Sequence, residues 1–249
     1  MRNMNAECRN INAECRNISV LLAAYCGEAY IAEQIASILP QLEEGDELLV
    51  GDDSPAGHTA TKEAVLSFAD PRIEYLQGPG QGTVKNIEFL LGRARGALLV
   101  LSDQDDVWLP GKLAGIRKQG SGVLGQPAVI LHDARLTDEH LHITCESQFE
   151  QLGVSAGFWR NLVKNTFTGC CMALTRELLP YILPFPAGIP MHDQWIGLRA
   201  IQKGRVILIR EPLILHRRHP AAQTGQAGST LGQKIRWRAG LVRALMIRR

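Results

Sequence analysis

An α/β fold built on a largely parallel sheet is predicted by three features of the sequence. Strand-like and helix-like patterns alternate through the first 113 residues, as they do in a parallel sheet with helices on both faces. The run Ala97–Leu101 is short and apolar without interruption, the pattern of a strand covered on both sides. It ends abruptly in Ser102-Asp103-Gln104-Asp105-Asp106, and ligands of open α/β sheets gather outside the carboxyl ends of the strands.

The elements follow in chain order. Residues 1–17 hold a near-repeat, RNMNAEC, RNINAEC and RNI. Its period of seven carries too few apolar positions for a coiled coil, so a tail is expected. Ile18–Ala24 is the first strand, Tyr25–Glu28 its turn, and Ala29–Leu39 a helix with Ile31, Ile35, Ile38 and Leu39 on one face. Glu47–Gly51 is a second strand that ends in Asp52-Asp53-Ser54. A helix over Thr59–Phe68 and a strand over Arg72–Leu76 come next, then a Gly-rich loop (Gly78–Gly82) and a helix over Val84–Arg95. Past the acidic cluster, Val107-Trp108-Leu109 turns apolar again, and Pro110 suits the first turn of a helix.

The second half is less regular. Ala128–His132 reads as a strand, whereas Phe158–Val163, Thr166–Leu174 and Arg176–Ile182 mix short helix and strand signals. A bend rich in proline (Pro184, Pro186, Pro190) leads into Met191-His192-Asp193-Gln194-Trp195 and a helix reaching Lys203. Arg205–Ile209 is the last expected strand, with a polar, histidine-bearing segment over Glu211–Gly225.

Composition sets the class. At 249 residues, 45% hydrophobic and 21% charged, the chain has the make-up of one ordinary globular domain with appendages. The net charge of +2 is unevenly spread, since no acidic residue follows Glu211 while Arg217, Arg218, Lys234, Arg236, Arg238, Arg243, Arg248 and Arg249 do. A basic end on a near-neutral body suggests an anionic neighbour. The cysteines form no CxxC pair, and adjacent Cys170-Cys171 is a poor disulfide framework, so reduced thiols are expected. No apolar run reaches the roughly 18 residues of a membrane span, and the polar N-terminus is unlike a signal sequence. A cytoplasmic location is the expectation.

Asp103, Asp105 and Asp106 put three carboxylates within four positions. Carboxylates so crowded repel one another unless a cation sits among them or water screens them. A hard cation completed by substrate phosphates fits the first case, and a solvated turn with an N-capping Asp fits the second.

From Ile18 to Gly225 the chain resembles the family 2 glycosyltransferases, and within them the bacterial rhamnosyltransferase-like branch. Five motifs in series carry the resemblance: VLLAAYCGEAYIAEQIASIL, LLVGDDS, LSDQDDVWLPGKL, the pair TGCCMALTREL and MHDQWIGLRA, and PLILHRRHPAAQTG. The resemblance implies a GT-A fold, a Rossmann-like nucleotide-binding sheet (residues 18–113) merged with a smaller acceptor-binding half (114–225). It also implies a Mg2+ or Mn2+ ion, a dTDP- or UDP-linked sugar donor, a glycan or lipid-linked oligosaccharide acceptor, and inversion at the anomeric carbon. Rhamnose is the sugar that the branch suggests.

Matched position by position, Asp105 and His219 correspond to metal ligands, and Asp103 to a ribose or metal contact. Asp106 is either a further ligand or a helix cap. Asp52 matches the base-reading aspartate with Asp53 as companion, and Ala23, Tyr25 and Glu28 match the nucleoside and ribose wall. Lys85 and Asn86 fall where donor contacts are common, and Arg218 suits phosphate oxygens. Asp193 matches the general base that takes the acceptor proton; by residue type it could equally cap its helix. Gln194 stands where that branch usually carries Trp.

Residues 226–249 complete the chain. Leu231, Ile235, Leu241, Val242, Leu245 and Met246 fall near one face of a basic helix that also holds Trp237. Such a helix either lies on an anionic membrane surface, near the inner face of the membrane, or packs on the protein's own body. No recognition motif for nucleic acid accompanies the charge. The alternative to an enzyme is an inactive nucleotide-sugar-binding scaffold of the same fold.

Overall fold

The computed structural model describes residues 17–219 and 231–247. The tail expected over 1–17 falls almost entirely outside these residues, as do 220–230 and the last two positions. Cys8 and Cys15 lie there too; Cys26, Cys145, Cys170 and Cys171 are free thiols.

Strands β1 (Ile18–Ala24), β2 (Glu47–Asp52), β3 (Ile73–Gln77) and β4 (Leu98–Asp103) run parallel in the order β3-β2-β1-β4. Helices α1 (Ile31–Ile38), α2 (Ala60–Leu66) and α3 (Thr83–Leu91) connect them. The period of two explains the unbroken apolar run of β4. Leu99 and Leu101 pack with Leu21, Ile87 and Leu90 on one face; Leu98 and Val100 pack with Val20, Ile31 and Ile35 on the other. Each such side chain contributes roughly 1.5–3 kcal/mol on burial.

The sheet then changes direction. After α4 (Lys112–Gly120), β6 (Ala128–Thr137) lies antiparallel to β8 (Met172–Thr175), and β8 is antiparallel to β4. The short strand β7 (Ile143–Cys145) pairs with β6. Helices α5 (Gln148–Leu152), α6 (Phe158–Val163) and α7 (Leu179–Ile182) precede α8 (His192–Lys203), which begins where the Pro-rich bend ends. Trp195 anchors α8: it is fully buried, and its Nε1 donates to the Ile182 carbonyl at 2.9 Å.

Two expectations are corrected. The segment after Ile209 is not a polar loop throughout, because β9 runs from Arg205 to Arg217 beside β6, with register shifts at His132/Asp133 and again before Arg135. These irregularities admit Pro212, which a regular central strand would not. Val107-Trp108 forms the edge strand β5 against Leu215 and Ile214 of β9. The helix after it starts only at Lys112, with Gly111 at its N-cap in the left-handed region (φ 88°), so Pro110 precedes the helix instead of opening it.

The last helix, α9 (Leu231–Ile247), packs on the body: Leu241 and Leu245 are buried in the same core cluster as Trp195 and Leu198. The apolar face expected to meet a membrane is thus at least partly occupied. No helix among the described residues is long and apolar enough to cross a membrane.

Candidate active site

The carboxyl ends of β1 and β4 open into a cavity of about 1050 Å³. The loop after β3, residues 165–169, the start of α8, the end of β9 and α9 close it. Asp103, Asp105, Asp193 and His219 all line it, as do Ala23 and Tyr25.

Register places the acidic motif. Asp103 ends β4 opposite Ala23 of β1, so the strand delivers its carboxylate beside the end of its neighbour. Gln104 then clamps the turn after β1: its Oε1 accepts from the Tyr25 N–H at 2.8 Å and its Nε2 donates to the Tyr25 carbonyl at 3.1 Å. Asp105 Oδ2 lies 2.8 Å from His219 Nε2, and the His219 ring rests on Tyr30 with centroids 4.9 Å apart. Arg217 ties the surroundings together. Its Nε donates to the Asp105 carbonyl at 2.9 Å and its Nη1 to the Glu139 carbonyl at 2.6 Å, and its Nη2 pairs with Glu33.

Asp106 is buried and caps no helix. Its Oδ1 accepts from the Arg217 N–H at 3.2 Å, while Oδ2 has no hydrogen-bond partner. Burial, and then the charge of Asp105, push its carboxyl up to about 7. Asp103 is raised well above the ordinary carboxylate range, first by burial and then by Asp106, Asp105 and Asp193. Opposing this, the fully buried Lys112 sends its ammonium to the Cys170 carbonyl at 3.0 Å and over the Trp108 ring at 3.9 Å. Burial brings Lys112 down to about 8, and the neighbouring thiols and carboxylates hold it from falling further. Donor atoms of Asp106, Cys170 and His216 also lie within 4.8 Å of one another. Two of that group, Asp106 and Cys170, also face Lys112 and favour its charged form.

The Asp103 and Asp105 carboxylates at the cavity wall, with an imidazole against Asp105, make an oxygen-rich donor set with one nitrogen. Mg2+ or Mn2+ fits such a set. Asp105 and His219 are the residues that would hold the ion, with Asp103 in reach of the same space.

For the residues expected to wall a nucleoside the placement differs from the expectation. Asp52 is fully buried and occupied within the chain: Oδ1 accepts from the Ser54 N–H and hydroxyl, and Oδ2 from the Tyr75 hydroxyl at 2.9 Å. Asp53, its neighbour, lines the cavity and accepts from the N–H groups of Gly80 (3.0 Å) and Gly82 (2.8 Å). Both glycines have positive φ, 67° and 85°, a conformation that side chains rarely adopt. Asn86 lines the cavity and donates to the Gly51 carbonyl at 2.7 Å. Glu28 faces away from the cavity, bonded to His58 at 2.9 Å and Thr61 at 3.0 Å; its own backbone, then His58, lower its pKa. Lys85 pairs with Glu88 one turn along α3.

Asp193, the expected base, sits in the first turn of α8, but the N-cap is Met191. The Asp193 carboxylate is instead held by the side-chain amide of Asn165 (3.0 Å) and the Gln194 N–H (2.6 Å), both at Oδ1. Burial raises it to about 6 against these bonds. His192 packs so closely over Gly169 that a Cβ there would stand 2.7 Å from its Nε2, and burial takes it down to about 4. Gln194 donates to the Asn161 carbonyl at 2.7 Å. Arg218 is exposed and does not line the cavity; Arg217, one residue earlier on the strand, does. Asn165, Arg217 and Lys112 were not singled out from the sequence. No motif marks an Asn in a loop, and Lys112 reads as a surface residue.

A parallel sheet continued by antiparallel strands, with an Asp-X-Asp at the end of its central strand, defines the GT-A class of fold. The chain belongs to glycosyl transferase family 2, whose model matches residues 19–182. It is similar to the Escherichia coli UDP-Glc:alpha-D-GlcNAc-diphosphoundecaprenol beta-1,3-glucosyltransferase WfgD, 34% identical over 96 residues. That match covers 38% of this chain and only 37% of WfgD.

Solved structures share the fold. Staphylococcus aureus TarS 1-349 in complex with UDP-GlcNAc superposes with a TM-score of 0.69 at 17% identity, over 91% of this chain and 66% of that one. The mannosyltransferase PcManGT from Pyrobaculum calidifontis, with GDP-Man and Mn2+, gives 0.61 at 15% identity over 92% and 69%. Glucosyl-3-phosphoglycerate synthase from Mycobacterium tuberculosis, with Mn2+, UDP and glucosyl-3-phosphoglycerate, gives 0.54 at 22% identity over 92% and 80%.

Proposed function

We propose that this chain moves a sugar from a nucleoside-diphosphate donor to a hydroxyl of a growing cell-surface glycan, inverting the anomeric carbon. One observation carries the proposal: a single cavity gathers Asp103, Asp105, His219 and Asp193 on its lining. The residues at the ends of β1, β2 and β4 form the donor half. Ala23, Tyr25 and Asp53 wall the nucleoside, with Asp53 a better candidate than Asp52 for reading the base. Asp105 and His219 hold Mg2+ or Mn2+, which supplies charge neutralisation for the diphosphate leaving group.

Asp193 is the base. A carboxyl near 6 is largely ionised at neutral pH, yet basic enough to take the acceptor's proton as the sugar is displaced in one step. Asn165 and the Gln194 N–H hold Oδ1 in place.

UDP-linked donors are the first choice, since WfgD is named for UDP-Glc and TarS was solved with UDP-GlcNAc. A dTDP-linked rhamnose, suggested by the motifs, is the other. The acceptor is a lipid-linked diphosphate saccharide of the kind in WfgD's name, met at the cytoplasmic face of the membrane.

Calorimetric titration of UDP, dTDP and GDP, with and without Mn2+, tests the donor half. Metal-dependent binding of UDP or dTDP in preference to GDP supports it, and dTDP preference points to rhamnose. Binding indifferent to metal removes the role given to Asp105. No binding of any nucleotide reduces the chain to a scaffold.

A further inference from the structure

We infer that the rim of the cavity formed by α6 and α9 is a docking surface for an anionic lipid bilayer, so that the acceptor enters from the membrane side. The inference rests on the transferase function above but adds a surface that neither the motifs nor the family match assigns.

The tryptophans divide into two pairs. Trp108 and Trp195 are buried, while Trp159 is 76% exposed and Trp237 37%. The exposed pair belongs to two neighbouring elements. Trp159 and Val163 (60% exposed) are four residues apart on α6 and so share one face. Val163 and Trp237 both line the cavity, and the Arg238 guanidinium joins the two helices by donating to the Val163 carbonyl at 2.6 Å. Met191, also partly exposed, touches Asn165 at 3.8 Å and continues the apolar rim toward Asp193.

Charge favours one occupant over the others. No acidic residue lies between Gln151 and Arg176, and none follows Glu211. The two segments that form the rim nevertheless contribute exposed Arg160, Lys164, Arg236, Arg238 and Arg243. Exposed Trp flanked by exposed basic side chains suits the headgroup zone of an anionic membrane, where the indole spans the apolar and wet layers. Five exposed cations on two segments that themselves carry no carboxylate fit a headgroup layer better than an apolar protein partner. The buried Leu241 and Leu245 fix α9 to the body, so the docking face is not the apolar stripe of that helix but the composite rim beside it.

Flotation of the purified chain with phosphatidylcholine vesicles, with and without phosphatidylglycerol, tests this. Binding is expected to the anionic vesicles only, to weaken as salt rises, and to shift Trp emission to the blue. Because Trp108 and Trp195 are already buried, that shift reports Trp159 and Trp237. The triple variant Trp159→Ser, Arg160→Gln, Lys164→Gln changes only exposed residues outside the cavity lining. It should lose on the order of tenfold or more in vesicle affinity, at about fivefold per basic residue, while UDP titration and the thermal melt stay as in the parent. Equal binding to neutral vesicles, binding unaltered in the triple variant, or no binding at low salt overturns the proposal. So does concentration-dependent self-association that the variant abolishes, which would make a second copy the occupant. If vesicle binding fails while UDP still binds, the docking surface falls and the transferase function stands. If UDP fails while vesicles bind, the reverse holds.

Discussion

Nε2 of His219 lies 2.8 Å from Oδ2 of Asp105, although 114 residues separate them. The end of β9 therefore returns the chain to the acidic motif at the end of β4, and in the proposed function the pair would serve as one donor unit for the metal. Asp105→Ala should weaken Mn2+ binding on the order of a hundredfold or more, and His219→Ala by about tenfold. Electron paramagnetic resonance of free Mn2+ in a titration measures both. Unchanged Mn2+ affinity in both variants would move the metal elsewhere.

Asp193→Asn keeps the size and most hydrogen bonds of the side chain but removes the proton acceptor. Turnover should fall about 10²–10⁴-fold with nucleotide affinity preserved. Single-turnover transfer alongside calorimetry separates the two quantities, and a parental rate in this variant would take Asp193 out of the reaction.

The pH profile carries the same residue's signature. Because burial raises Asp193 to about 6, activity should fall as pH drops through about 6, well above an ordinary carboxylate. The Asn165 amide favours the ionised form, so Asn165→Ala should move this acid limb to higher pH and lower the neutral-pH rate severalfold. A loss of rate with an unmoved limb would mean that Asn165 serves only the loop.

Stability should depend on pH in the opposite sense to a salt-bridged carboxylate. Asp106 (about 7) and Asp193 (about 6) bind protons more tightly folded than unfolded. Their contribution is full below about pH 4 and is lost as pH rises through 6 and 7. Urea denaturation of metal-free protein should show a decline of several kcal/mol across that window, reduced in Asp106→Asn and by saturating Mn2+.

Much of the fold is legible in the sequence because β1, β2 and β4 are short, mostly apolar runs and turn residues separate the early elements. Helix and strand boundaries from Ile18 to Asp103 fall within a few residues of those expected, save that α3 stops at Leu91 rather than Arg95. What escapes is pairing between distant segments. Two residues, Val107 and Trp108, are too few to show a period, and only β9 makes them a strand. Glu211-Pro212 looks like a break unless the irregular register with β6 is known. The site shows the same limit one residue at a time. Adjacent Asp52 and Asp53, or Arg217 and Arg218, differ in which of them reaches the cavity, and a strand's alternation cannot be phased from residue type alone.

The Gln104 side chain grips both polar groups of the Tyr25 peptide, so the middle residue of the acidic motif behaves as one more rung between two strand ends. In the proposed function a donor would meet a wall already set at this corner, with little chain freedom left for it to extinguish. Replacing Gln104 by alanine would leave every charge in the motif untouched, yet slow the capture of nucleotide by making that wall assemble anew at each encounter. The residue written as X in Asp-X-Asp is, in this chain, a brace between two strand ends.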